Sequence, residues 1–448
     1  MPGHKGRGMA GFMRPELAQW DITELSFSDN LHSPNTIIAD AQGAYAQCYG
    51  AAHTFFLVNG ATAGILSMLL SLPEGSRVLL GRDCHRSAIS GIALGGLECR
   101  FVQPEYEKTF GLWGCVTPES LERALVEEAV DAVLVTSPNY YGLCADIPAL
   151  SRIAHAHGAL LFVDAAHGAH FPFSDMLPPT PAGDADAWVN SVHKTMNALG
   201  QAAVLHVDKG MDVYAVQQAL SMVQTSSPSY LLLASLDWAL YTASRPRCWT
   251  QACNVCYTLK QSIDGLLGLS VLPQSVVGSA GIAHLDPTRI TVDVSRRGIT
   301  GFAAQRALEE RNAYVEFSDV RRVTCICTPA DDPVWYEMLL DGLCTLPYGT
   351  ELPPQMPAQY PAVTRAMPVC EAVRAQKEAL PLAACAGKIA ADFVGVYPPG
   401  IPLWTPGERI SEEAVAFLQA QQALGAELFG APEDYAIVVR GIAPPTKS

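Results

Sequence analysis

Charge is scarce in this chain, and positive charge scarcest. Charged side chains make up 16% of the 448 residues, and 29 lysines and arginines face 44 aspartates and glutamates, a net charge of −15 with histidine neutral. Nucleic-acid binding needs clustered lysine and arginine to neutralise phosphates, so this balance argues against that class of partner. The same acidity would suit a cationic substrate, although many unrelated proteins share it. Long apolar runs are also missing. The most apolar segments, such as residues 55–72, are interrupted by Asn, Gly, Thr or Ser and are too short to cross a bilayer, so no membrane association is expected. The basic opening Met1-Pro2-Gly3-His4-Lys5-Gly6-Arg7-Gly8 leads into no apolar stretch of signal-peptide length.

What the chain has is apolar mass. Hydrophobic residues make up 49% of it, which excludes a disordered chain and fits a large, well-buried enzyme of two domains or three. Its 13 cysteines, without a secretory leader, read as reduced thiols of a cytoplasmic protein rather than a disulfide framework. Cys248, Cys253 and Cys256 reproduce a C-x4-C-x2-C spacing found in some iron–sulfur proteins. The stretch 249–267 reads as helix, however, with no fourth ligand nearby, so no metal is expected.

Strand and helix signals alternate through the first half. Short apolar runs at 55–58, 77–80, 132–136, 159–163, 188–191 and 202–207 are separated by helical stretches at 65–72 and 149–157. This pattern predicts a mostly parallel sheet covered on both faces. In such sheets ligands bind beyond the carboxyl ends of the strands, so reactive residues should come just after the apolar runs. From about residue 230 the texture changes: 231–267 reads as helix broken near Pro246, then strands at 290–294 and 323–327 flank a helix at 301–311. Residues 347–368 read as a proline-rich loop, 387–394 as helix, and Tyr397-Pro398-Pro399-Gly400-Ile401-Pro402 as a rigid turn.

The strand-end rule picks out the chemistry. Lys194, in Asn190-Ser191-Val192-His193-Lys194-Thr195, comes after an apolar run and lies apart from other charges. Its amine can form a Schiff base with an aldehyde if its surroundings favour the neutral form; an ordinary loop lysine is the competing reading. Asp164 ends the run Leu160-Leu161-Phe162-Val163. A carboxylate there needs a cation or strong donors, and a protonated pyridine nitrogen is one such cation; a helix cap is the alternative. Gly60-Ala61-Thr62, between strand and helix, offers backbone N–H groups and a hydroxyl to a phosphate, with Ser191 and His193 opposite. His85 comes after a strand and can stack on an aromatic ring or cap a helix.

With these residues in place, the chain resembles the Orn/Lys/Arg decarboxylase family of fold-type I pyridoxal 5'-phosphate (PLP) enzymes, in a short form without the N-terminal wing domain. The matching segments run in family order along nearly the whole chain. They include Pro2-Gly3-His4-Lys5, Asp21-Ile22-Thr23-Glu24, Asp29-Asn30-Leu31-His32, Arg82-Asp83-Cys84-His85-Arg86-Ser87 and Thr136-Ser137-Pro138-Asn139-Tyr140-Tyr141-Gly142. Further along come Asp164-Ala165-Ala166-His167-Gly168-Ala169-His170, Ser191-Val192-His193-Lys194 and Pro406-Gly407-Glu408. The resemblance implies an α/β fold with a mostly parallel, seven-stranded-type sheet in a PLP-binding large domain (31–270). An N-terminal arm (1–30) precedes it and a smaller α/β C-terminal domain (271–448) completes the chain.

The resemblance also implies residue roles. Lys194 binds the PLP aldehyde, Asp164 bonds the ring nitrogen, and His85 stacks on the ring. Ala61, Thr62, Ser191 and His193 hold the phosphate, and His167 belongs to the cofactor site. The implied reaction is α-decarboxylation of arginine, lysine or ornithine to the amine and carbon dioxide, within polyamine biosynthesis, with His193 or Lys194 returning a proton. Another PLP reaction on the same fold, transamination or a side-chain lyase step, stays open, as does a non-catalytic member. Glu24, Asp29 and Glu408 are candidates for the substrate's distal cation, His32 is a substrate-site candidate that reaches a neighbouring subunit's site, and a homodimer or higher homo-oligomer with shared active sites is expected. Two departures stand out. The chain begins at the Pro-Gly-His-Lys motif where relatives have a preceding segment, and Cys370 stands where relatives usually show arginine.

Overall fold

The computed structural model describes residues 15–354, 357, 361, 363–397 and 400–441, so Pro2-Gly3-His4-Lys5 and Pro398-Pro399 lie outside the described residues. Seven strands form the main sheet: β1 (His53–Leu57), β2 (Arg77–Gly81), β3 (Glu98–Val102), β4 (Ala132–Thr136), β5 (Leu160–Asp164), β6 (Ala187–Asn190) and β7 (Ala203–Val207). Their order across the sheet is β1-β7-β6-β5-β4-β2-β3. The block from β3 to β6 is parallel, while β7 runs antiparallel to both β6 and β1.

The burial pattern explains why these runs form central strands. Val133, Val135, Leu161, Val163 and Trp188 point to one core, and Leu134, Phe162, Val189 and Leu205 to the other. Successive side chains alternate between faces, so a strand covered by helices on both sides must be apolar throughout. Two covering helices bear on the site: α1 (Gly60–Leu70) after β1, and α2 (Arg86–Gly95) after β2. Gly64 of α1 is required by packing, since a Cβ there would meet Val189 Cγ2 at 2.7 Å.

Beyond the sheet, α3 (Val192–Thr195) is one short turn, and the helical stretch read at 231–267 is divided into α4 (Tyr230–Ala243) and α5 (Cys248–Asp264). Cys253 and Cys256 lie buried on α5, and all 13 cysteines are free thiols. A second, antiparallel sheet comes next, ordered β8-β9-β11-β10, from β8 (Ser270–Val271), β9 (Arg289–Asp293), β10 (Phe317–Ser318) and β11 (Arg322–Ile326). It shares a core with α5 through Cys256, Leu259 and Ile263. Among the described residues after 363, a further core gathers around Trp404 and Leu418.

The helix read at 387–394 is a correction. Ile389 and Ala390 make isolated bridges to Arg409 and Val438, and Val394 opens the strand β12 (Val394–Tyr397). Here pairing with distant strands overrides local helix preference. Among the described residues, no helix is long and apolar enough to cross a membrane.

Candidate active site

The sheet places its reactive side chains at one edge. A cavity of about 320 Å³ opens beyond the carboxyl ends of β2, β4, β5 and β6, and these strand ends and the loops after them supply Asp83, His85, Thr136, Asp164, His167, Ser191, His193 and Lys194. The turn from β1 into α1 adds Gly60, Ala61 and Thr62, and because β7 runs the other way its start adds Gln201. The eight residues read from sequence as catalytic or cofactor-binding therefore line one cavity.

At its centre, Lys194 Nζ lies 3.1 Å from His167 Nε2. Burial lowers the Lys194 pKa below the usual lysine value; Asp164 and Glu316 oppose that shift and Arg289 adds to it. Asp164 is 4% exposed, and its Oδ1 accepts a hydrogen bond of 3.1 Å from the Ala166 amide. Its strand neighbour in register is Thr136, so the two face the cavity side by side.

His85 caps α2, one of the two roles the sequence allowed, and stands in the cavity wall. Its Nδ1 accepts from the Ser87 amide at 3.2 Å and lies 2.7 Å from Ser87 Oγ. Burial depresses its pKa, against the pull of Asp164 and with help from Lys194 and Arg86. His193 Nδ1 lies 3.0 Å from the Ala202 carbonyl, which can only accept, so Nδ1 carries the proton and Nε2 presents a lone pair when the ring is neutral. As a donor to a phosphate, His193 must therefore be protonated.

Several groups in the cavity are left for a ligand. Among the described residues, Thr136 Oγ1 and Asp83 Oδ1 are buried without a hydrogen-bond partner. Asn59, the N-cap of α1, makes no side-chain capping bond to any described residue; the Gly60 N–H donates to the Gln201 carbonyl at 2.9 Å, and the next N–H groups of the first turn remain at the positive end of the helix dipole. A helix start for a phosphate, an aspartate for a ring-nitrogen cation, a free hydroxyl for a ring oxygen and a lysine for an aldehyde fit PLP.

The four substrate candidates lie elsewhere. Glu408 is a correction: it is 2% exposed, its oxygens take Arg82 Nη1 at 2.7 Å and Nη2 at 3.0 Å, and the Thr405 amide adds a third bond at 2.7 Å. Asp29 is another. It accepts backbone N–H bonds from Asn30, Asn35, Thr36 and Ile38, so it organises its own loop. Burial pushes its carboxyl up, but those donors outweigh the push and hold it at about 2. Glu24 accepts from Thr23 Oγ1 at 2.7 Å, and His32 Nε2 donates to the Thr225 carbonyl at 2.8 Å; neither lines this cavity.

Other residues carry weight that sequence reasoning missed. Asp83 shares the cavity wall, and burial, reinforced by Asp164, pushes its carboxyl up to about 7. Tyr140 packs edge-on against the His167 ring at 5.0 Å between centroids. Thr136 ends an apolar strand just as Asp164 does, so the same strand-end rule would have found it. Arg289, 2.8 Å from His167 Nδ1, gave no signal within its strand.

Comparison with known proteins gives consistent results. A family model described as Orn/Lys/Arg decarboxylase, major domain, matches residues 3–334, and one described as Orn/Lys/Arg decarboxylase, C-terminal domain, matches residues 354–438. The chain is 34% identical over 462 residues to the arginine decarboxylase of Bacillus subtilis strain 168, covering 97% of this chain and 92% of the relative. The solved lysine decarboxylase of Francisella novicida shares the fold with a TM-score of 0.82 at 17% identity, over 98% of this chain and 78% of that one. A serine palmitoyltransferase from S. paucimobilis with a bound PLP–myriocin aldimine superposes with a TM-score of 0.52 at 17% identity, over 68% and 75% of the two chains.

Proposed function

The chain belongs to the Orn/Lys/Arg decarboxylase family, and from that premise we propose which residues of its cavity act and on which substrate. The protein is a decarboxylase of a basic amino acid, releasing carbon dioxide and the corresponding amine. Within that class we assign arginine ahead of lysine and ornithine, because the relative similar over nearly the whole length is an arginine decarboxylase. The family and a PLP-bearing fold neighbour imply PLP as cofactor.

When bound, PLP supplies an electron sink that weakens the bonds at the substrate's Cα. The chain's own groups do the rest. Lys194 is the amine for the cofactor aldehyde, and Asp164 supplies the negative charge that holds a ring-nitrogen proton in place. The N–H groups at the start of α1, with the hydroxyls of Thr62 and Ser191, receive the phosphate. His85 forms a flat wall of the cavity. Orientation in the pocket decides which Cα bond breaks. Lys194, and His193 when its ring carries both protons, are the groups to return a proton to Cα.

The observation that carries this reading is the convergence of Lys194, Asp164 and His85 from three separate strand ends on one cavity. The test is to incubate PLP-loaded protein separately with arginine, lysine and ornithine, and to identify the gas and the amine. Carbon dioxide with the amine of arginine is expected. A 2-oxo acid without carbon dioxide overturns the assignment.

We also read the working unit as a homodimer with shared sites. Trp238 and Tyr241 on α4 are 53% and 60% exposed, which supports an interaction surface there. Light scattering that finds only monomer across a wide concentration range counts against it.

A further inference from the structure

Three side chains from three elements form one hydrogen-bonded line behind the cavity. Arg289, the first residue of β9, is 2% exposed; its Nη2 lies 2.8 Å from His167 Nδ1, and His167 Nε2 lies 3.1 Å from Lys194 Nζ. The direction of this line is not free. A guanidinium only donates and stays charged, so His167 Nδ1 must accept through its lone pair. A neutral imidazole then carries its single proton on Nε2, aimed at Lys194. An ammonium has no lone pair to receive it, whereas the neutral amine does. The opposite polarity, with the ammonium donating to Nε2, would set an Nδ1–H against the guanidinium.

We propose that Arg289 is a positioning residue that locks His167 in its Nε2–H tautomer and thereby holds Lys194 as the neutral, nucleophilic amine.

The surroundings agree. Behind it, Arg289 Nε faces Asp286 Oδ2 at 3.7 Å, an ion pair rather than a hydrogen bond, and that oxygen also lies 3.1 Å from His170 Nε2. Gly142, at φ +82°, leaves the room the guanidine stem needs, since a Cβ there would meet Arg289 Cγ at 2.5 Å. Facing Lys194, Asp164 and Glu316 favour the ammonium, yet burial with Arg289 outweighs them and its pKa is lowered. For His167 burial comes first, and Lys194, Arg289, His85 and His170 all push the same way, so its ring stays neutral.

This inference rests on reading Lys194 as the aldehyde-binding amine for its purpose, but its test does not. Apo-protein is treated with formaldehyde and cyanoborohydride over a pH series, and labelling at Lys194 is monitored by peptide mass spectrometry. Wild type should label at a lower midpoint pH than an ordinary lysine. Arg289→Met should raise that midpoint by about one unit, which makes labelling about tenfold slower at neutral pH. Arg289→Lys, which keeps a cationic donor, should recover most of the loss. A purely structural role would lower the melting temperature without moving the midpoint.

Nitrogen NMR of wild-type histidines needs no variant to fold, and should show His167 as the Nε2–H tautomer. A doubly protonated or Nδ1–H His167 at neutral pH overturns the proposal, as does an unmoved midpoint in folded Arg289→Met. Labelling as expected without carbon dioxide release would instead sink the decarboxylase assignment and leave the relay standing.

Discussion

Asp164 and Glu408 are both almost wholly buried, at 4% and 2% exposed, yet the protein satisfies them in opposite ways. Glu408 sits at a seam between the main sheet and the C-terminal layer, where both Nη nitrogens of Arg82 and a backbone amide saturate it. Asp164 sits at a strand end facing a cavity and is steadied by the Ala166 amide. Burial alone therefore says little about a carboxylate's role. What matters is whether the protein supplies its countercharge or leaves that to a ligand.

Substitutions can break or sharpen this contrast. The largest effect should come from the cavity's centre: Lys194→Ala should abolish amine production in an assay of released carbon dioxide, while urea unfolding stays near wild type. Glu408→Gln, at the seam, should do the reverse. It leaves Arg82 buried without its counter-ion and should cost about 3–5 kcal/mol in urea unfolding, with the folded fraction still able to bind PLP. Asp164→Asn should lower kcat by about 10²–10³-fold, comparable with deleting one preorganised electrostatic partner, and leave stability little changed.

The smallest effect belongs to Asp29, a loop counterpart of the seam. Asp29→Asn should cost about 1 kcal/mol at neutral pH, in the range of a lost backbone cap. The sign is set by its folded pKa of about 2 lying below the ordinary 3.8. The stabilisation is complete above the unfolded value and disappears as pH falls through about 2, so the two proteins should converge in acid unfolding curves.

Much of the cavity was legible in the sequence because one rule governs it. Parallel buried strands are continuous apolar runs, and the residues at their carboxyl ends face the ligand. Lys194, Asp164 and His85 obey that rule, as does the Gly60 turn, and Thr136 would have been found by it. Glu408 and Asp29 escaped because a carboxylate's partners are not legible from its own neighbours. Arg82 lies 326 positions from Glu408, and Asp29 is saturated by amides that any residue types could supply. Arg289 escaped for a related reason: inside Arg289-Ile290-Thr291-Val292 it reads as the polar start of an ordinary strand. Only the packing of β9 near the main sheet's carboxyl edge gives it a histidine to address.

The Arg82–Glu408 clasp has a consequence for how the molecule comes into being. Arg82 leads directly into Asp83 and His85, which wall the cavity, so the clasp pins the backbone entering that wall. On the ribosome, the arginine must wait for its mate until 326 further residues have been made. The backbone entering the cavity wall is therefore pinned late in synthesis, and nascent chains stalled at about position 400 should leave that stretch more open to limited proteolysis than released ones.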